Sequence, residues 1–168
     1  MGNRKKAHDN ALSPSDLQAL ARVDFAIFVE IVFSILHRGK KLIHAPYIDV
    51  IGHLLAAISH GEIQRAVINL PPGYMKSMLV SVMYTAWRLG VDPTWKVVCI
   101  SYGDDLSHRL SVLTRTLMLS PNYRKTFPGT ILDKHAEDHL TTTKGGFRYA
   151  TQVASDITGF RPNDIIID

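Results

Sequence analysis

The chain has 168 residues, 46% of them hydrophobic, the size and composition of one globular domain able to bury its own core. Its formal charge of +4 permits contact with nucleic acid without demanding it. A single cysteine, Cys99, excludes a disulfide framework and a cysteine zinc site, and fits a reducing cytoplasm.

At the N-terminus, Arg4-Lys-Lys6 reads as a solvated tail, and Lys6 occupies the place where a myristoylation signal needs Ser or Thr. Ser13-Pro-Ser-Asp16 offers an N-cap, a proline at the first helical position and a capping-box acid, so a helix is expected to start there. It leads into the most hydrophobic window, 23–36, which is too short to span a bilayer and contains Asp24 and Glu30. The window also starts too late for a signal peptide and lacks a small-residue cleavage site. Apolar residues around most of this helix argue for burial against a neighbouring domain face, with anchoring on a membrane surface as the alternative. Residues 1–42 are expected to form a tail and helical extension, and 43–168 the core domain.

Further along, a helix is predicted from Pro46 to Ser59, closed by Gly61, then a strand over 66–70. A helix apolar nearly all round runs from Lys76 to Leu89, ending at Gly90 with Pro93 beyond. A buried strand follows at Lys96–Ser101. Leu106, Leu110, Leu113 and Leu117 recur at helical spacing until Ser120-Pro121. Residues 140–154 suggest a hairpin turning at Lys144-Gly-Gly146, and 164–168 a last strand ending in Asp168. Strands separated by helices predict an α/β domain: a parallel sheet with right-handed crossovers, flanked by helices.

Chemistry concentrates at Pro71-Pro-Gly-Tyr-Met-Lys-Ser77, where a predicted strand turns into a helix. A triphosphate needs converging backbone N–H donors, which a loop wrapped onto a helix N-terminus supplies. Pro72, Gly73, Tyr74 and Met75 would form the cradle, and Lys76 would place a charge on the outer phosphates. The Ser77 hydroxyl and the Asp168 carboxylate would hold Mg²⁺, which keeps most of its waters and needs few protein ligands. A nucleoside triphosphate with Mg²⁺ is therefore the expected ligand, with Lys76 and Asp168 as the catalytic pair. The strict P-loop pattern G-x-x-x-x-G-K-S/T is not met, since Leu70 and Met75 stand where its glycines belong. The bend is accordingly expected to rest chiefly on Gly73. A plain Pro-Pro-Gly turn with a surface lysine is the bland alternative, and the Asp168 strand argues against it.

The ordered set of segments resembles the ATPase domain of the large terminase subunit of tailed bacteriophages. The matching stretches are Gly61 to Ser77, Ile100-Ser-Tyr102 with Asp105-Leu106, and Ser120-Pro-Asn-Tyr123 through Phe127-Pro128. They continue with Gly145-Gly-Phe-Arg-Tyr-Ala150, Thr158-Gly159 and the strand into Asp168, so the resemblance covers about residues 43–168. One spelling of the family's loop, Pro-Pro-Gly-His-Met-Lys-Ser, departs from this chain only at Tyr74.

The resemblance implies a P-loop NTPase fold of the ASCE type, incomplete at its C-terminus. It also implies an ATP-driven motor that packages viral DNA into a procapsid in the host cytoplasm. Its partners would be double-stranded DNA gripped through its backbone, a portal protein, a small terminase subunit and further copies in a ring, with no membrane. Tyr47 stands where many relatives carry a histidine near the adenine, so it could stack on the base or serve as a buried aromatic. The family's C-terminal nuclease is not represented here. In the family a second acidic residue follows the strand-end aspartate and activates water, and this chain stops at Asp168. The 168 residues alone are therefore expected to bind ATP far better than they hydrolyse it, with Asp164 and Asp156 the carboxylates to suspect if turnover is seen. Two other readings stay open: a different P-loop DNA-translocating ATPase, and a non-catalytic prophage remnant that only binds nucleotide.

Other residues invite blander readings. His135-Ala-Glu-Asp-His139 lacks the order of a zinc motif and reads as a polar loop. Asp104-Asp105 fit a helix N-terminus better than a catalytic pair. Arg109 and Arg115 lie off the leucine face and read as solvated, with DNA phosphates or a partner subunit as alternatives. Arg161 precedes the last strand, whereas ligands of parallel sheets bind at carboxyl ends, so it stands at the wrong end for an arginine finger in cis, with contact to a neighbouring subunit as the alternative.

Overall fold

The computed structural model describes residues 12–153 and 159–168. Arg4, Lys6, Asp156 and Thr158 lie outside the described residues. The predicted capping box is present: Ser13 accepts from the Asp16 backbone N–H while Asp16 reaches back to Ser13, and α1 runs Pro14–Val23. The helix does not continue through the hydrophobic window. Asp24 takes an extended backbone and its carboxylate accepts from the N–H groups of Ala26 and Ile27, which starts a second helix, α2, Phe25–Leu36. The acid that argued against a bilayer is thus a cap, a device usually worth about 1 kcal/mol.

Helix α3 spans Pro46–Ser59, with Gly61 at φ +78 just beyond it. The predicted strand at 66–70 does not form. That segment is extended, but its backbone pairs with nothing among the described residues, and Val67 is 89% exposed. Lys76 and Ser77 open a helix that widens into a π-helical segment, Met78–Tyr84, before continuing as α4, Thr85–Val91. Gly90 does not cap it. It lies in the last turn, where a Cβ would sit 2.5 Å from the Phe127 ring, so glycine is required there by close packing.

Strand β1, Lys96–Ser101, and helix α5, Asp104–Leu119, follow as predicted. Asp104 and Asp105 occupy the first turn of α5, where they favour the helix dipole without a side-chain cap bond. Ser120 then caps a short helix that sequence reasoning missed, α6, Pro121–Thr126. Three strands come next: β2 (Leu132–His135), β3 (His139–Thr142) and β4 (Phe147–Gln152), and the chain closes with β5, Asp164–Ile167.

These strands make one five-stranded sheet in the order β2-β3-β4-β1-β5. It is mixed, not parallel throughout. β1 runs parallel to β4 and β5, while β2, β3 and β4 form an antiparallel meander. The short link at Lys144-Gly-Gly146 allows only the hairpin expected there, and that antiparallel pair, extended by β2, is what keeps the sheet from being parallel throughout.

The register pairs Val97 with both Arg148 and Asp164, which puts Cys99, Ala150, Ile166 and Asp168 on the same face. The π-segment and α4 pack there, with the Thr85 hydroxyl 3.8 Å from the Cys99 sulfur. Behind them α2 buries Phe25 and Phe28 against Tyr84, Trp87, Tyr123 and Phe127 in edge-on and tilted contacts. The hydrophobic helix therefore packs into the same core as the helix that starts at Lys76. Among the described residues no helix is long and apolar enough to cross a membrane.

Candidate functional site

Between Pro71 and Ser77 the chain must leave an extended path and enter a helix within a few residues. It does so with two left-handed backbones, Gly73 at φ +88 and Met75 at φ +54. The bend is thus shared, and does not rest on Gly73 alone. Met75 holds the position before the lysine where the strict pattern has glycine, and its backbone is in the left-handed region that glycine enters more readily. An L-residue there carries roughly 1–2 kcal/mol of strain. Nor is Gly73 in a tight cradle, because a Cβ at that position would meet no atom within 4 Å. Its constraint is purely conformational.

Pro72, Gly73 and Tyr74 are exposed, and Tyr74 N–H donates to the Pro71 carbonyl at 3.3 Å. The Tyr74 ring meets Tyr47 at the start of α3, with centroids 5.4 Å apart and planes inclined by 60°. The two tyrosines thus form one aromatic patch beside the loop. Ser77 is half-buried in the first helical turn, and no hydrogen bond joins it to Asp168 among the described residues.

Lys76 and Asp168 do meet. Lys76 Nζ lies 3.2 Å from Asp168 Oδ1, with the lysine side chain 41% and the aspartate side chain 8% exposed. Asp168 N–H donates to the Ile100 carbonyl at 2.9 Å, so β1 fixes the main chain that carries the carboxylate. The other carboxylate oxygen accepts from the Ser81 hydroxyl at 3.1 Å. Sequence reasoning missed Ser81; the available signal was a lone hydroxyl one helical turn after Ser77, inside an apolar run.

The amino end of β5 carries a second polar group. Asp164 accepts from Trp95 Nε1 at 2.9 Å and from the Tyr84 hydroxyl at 3.4 Å. Arg88 Nε stands 4.0 Å away, an ion pair beyond hydrogen-bond reach, while its guanidinium lies 4.0 Å over the Trp95 ring. Burial pushes the Tyr84 hydroxyl well above the usual phenol range, with the Asp164 charge adding to the effect. Tyr84 therefore stays a neutral donor, and Asp164 is committed to structure.

A cavity of about 590 Å³ runs along β5 between these two ends, walled opposite by Ala66 and Ile68 and floored by Val80, Ser81 and Tyr84. Lys76 and Asp168 lie at its carboxyl end, the place where open α/β sheets bind ligands. Arg161 is exposed before the amino end of β5, Arg109 is exposed on α5 and Arg115 is half-buried. His139 does not belong to a polar loop. It lies on β3, half-buried against Phe147, Tyr149 and Phe160.

The fold and the site define a mixed α/β protein with a five-stranded sheet, whose loop lysine is paired with a strand-end aspartate. Compared with known proteins, the chain matches no family model, no curated protein and no solved structure at a significant level.

Proposed function

We propose that this chain is the ATP-binding portion of a DNA-packaging motor of the terminase large-subunit kind, built on a P-loop core. The observation that carries the reading is the 3.2 Å contact between Lys76 and Asp168, which joins the two halves of the sequence-predicted site at a sheet's carboxyl end. The left-handed backbone at Met75 supports it, because left-handed residues are the ones from which anion-binding concavities of loop N–H groups are built.

Ser77 and Asp168 are the residues that would hold a hydrated Mg²⁺ bound with a nucleotide. Among the described residues no three His, Cys, Asp or Glu side chains converge into a dedicated cage. Mg²⁺ coordinated by phosphates and water needs only a hydroxyl and a carboxylate, here Ser77 and Asp168. When bound, the ion would neutralise developing charge on the phosphates. Lys76, now held by Asp168, would exchange that partner for phosphate oxygens. The loop N–H groups at the helix start would bind the inner phosphates, and the Tyr47–Tyr74 patch offers a face for the base. Engagement of DNA through its backbone, and docking as a ring on a portal with a small terminase subunit, rest on the resemblance alone.

A non-catalytic nucleotide binder is favoured as the second reading by one observation: among the described residues Asp168 is the only carboxylate ion-paired with Lys76, and Asp164 is committed at the far end of β5. A positioned general base contributes about 10²–10⁴ in rate, so phosphate release from this chain should be near background. Titration with a fluorescent ATP analogue tests the site. Lys76→Ala should weaken binding in Mg²⁺ by about 1.5–3 kcal/mol, the worth of a charge-assisted hydrogen bond. Equal affinity in wild type and Lys76→Ala would remove the assignment.

A further inference from the structure

Asp168 carries two different partners on its two carboxylate oxygens. Lys76, on Oδ1, sits on a long stem and is 41% exposed. Ser81, on Oδ2, is 1% exposed and sits within the π-helical segment packed on the sheet. One partner is free to leave and the other is not.

The direction of the Ser81 hydroxyl is informative. Hydroxyls inside this protein's helices mostly bond back along their own helix: Thr114 to the Leu110 carbonyl, Thr116 to Val112 and Thr126 to Asn122. That choice is local and needs no neighbour. Ser81 instead reaches across to the end of β5. The widened π-turn is where it does so, and such turns recur at functional sites. Three residues on, the same segment sends the Tyr84 hydroxyl to Asp164 at the other end of β5. The π-segment thus grips both acidic ends of the strand.

We propose that Ser81 is a positioning residue for Asp168. It holds one carboxylate oxygen in place while the other changes partner from Lys76 to the metal-bound nucleotide. Without that bond, the carboxylate would follow the lysine or rotate about its own χ2 when the ion pair opens. The inference rests on the nucleotide-site reading above and adds a residue that reading does not contain.

The test is titration of the full chain with a fluorescent ATP analogue, once in Mg²⁺ and once in EDTA. Ser81→Ala should bind roughly tenfold more weakly in Mg²⁺, the effect of one hydrogen bond to a charged group. In EDTA it should stay within about twofold of wild type. Ser81→Cys keeps the packing but is a poor donor, so it should show the same selective loss even if the alanine variant folds badly. In an Asp168→Asn background, Ser81→Ala should add less than about twofold, because the two side chains act as one unit. Wild-type affinity in Ser81→Cys, equal losses with and without Mg²⁺, or fully additive losses would overturn the proposal. Failure of the wild-type chain to bind the analogue at all would overturn the nucleotide reading, and this inference with it.

Discussion

Left-handed backbones at Gly73 and Met75 make a paired substitution the sharpest probe of the loop. Gly73→Val places a β-branched residue at φ +88, where L side chains are rarely found, and should cost about 2–3 kcal/mol. None of that comes from collision, since the space around a new Cβ is open. Met75→Gly works the other way. It releases roughly 1–2 kcal/mol of strain at φ +54. Against this stand about 0.5–1 kcal/mol of extra chain entropy in the unfolded state. Loss of a half-buried methionine that packs on the core costs about 1 kcal/mol more. These contributions nearly cancel, so Met75→Gly should lie within about 1 kcal/mol of wild type. Urea denaturation gives the stabilities, and titration with the fluorescent ATP analogue should rank the two variants in the same order. Greater harm from Met75→Gly than from Gly73→Val, in either assay, would refute the reasoning.

Gly90→Ala should lose about 1–3 kcal/mol in chemical denaturation, because its Cβ would meet a Phe127 ring already held by Phe28 and Tyr123. Wild-type stability would mean that the ring can move aside. Among the described residues β5 ends the sheet with an unpaired edge and exposes Ile165 and Ile167, so the chain should associate with concentration in size-exclusion chromatography, and Ile167→Lys should reduce this. A monodisperse wild-type monomer would contradict that expectation. His44 bridges Asp49 on α3 and Glu30 on α2, and the hydrogen bond it donates to the Asp49 carboxylate raises its pKa above the ordinary imidazole value. Since the folded value is the higher one, this bridge stabilises fully below the ordinary pKa and fades as pH rises through the raised value. Melts of wild type and His44→Gln should converge as the pH is raised from about 5 to about 9, and a constant difference would show that the bridge does not titrate.

Local chemistry made much of the chain legible. Ser13-Pro-Ser-Asp16 carries its own cap, Pro46 and Gly61 bracket a helix, and Leu106, Leu110, Leu113 and Leu117 repeat at the helical period. Lys144-Gly-Gly146 is turn chemistry on its face, and the apolar run Val97–Ile100 fits a strand buried on both sides. Lys76 and Asp168 could be paired in advance because each stands at a recognisable junction, one where an apolar run turns through Pro-Pro-Gly into a helix and the other at a strand's carboxyl end. Asp24 shows where such reading stops. An acid in a hydrophobic run counts against a membrane span, but only backbone geometry shows that it splits one helix into two.

Tertiary structure decided everything that depends on a distant partner. The apolar segment 66–70 has the residues of a strand, yet a strand exists only where another offers hydrogen bonds, and among the described residues none pairs with it. Gly90 looked like a cap because glycine often is one, and the Phe127 ring that requires it comes from another helix's end. Met75 took on glycine's conformation, which no propensity would suggest, because the turn must fit between Pro71 and a helix already committed at Lys76. Ser81 was indistinguishable from any hydroxyl in an apolar helix until β5 packed across it. Its role lies in a 3.1 Å contact with Asp168, and sequence fixes what a side chain can donate while packing alone determines what receives it.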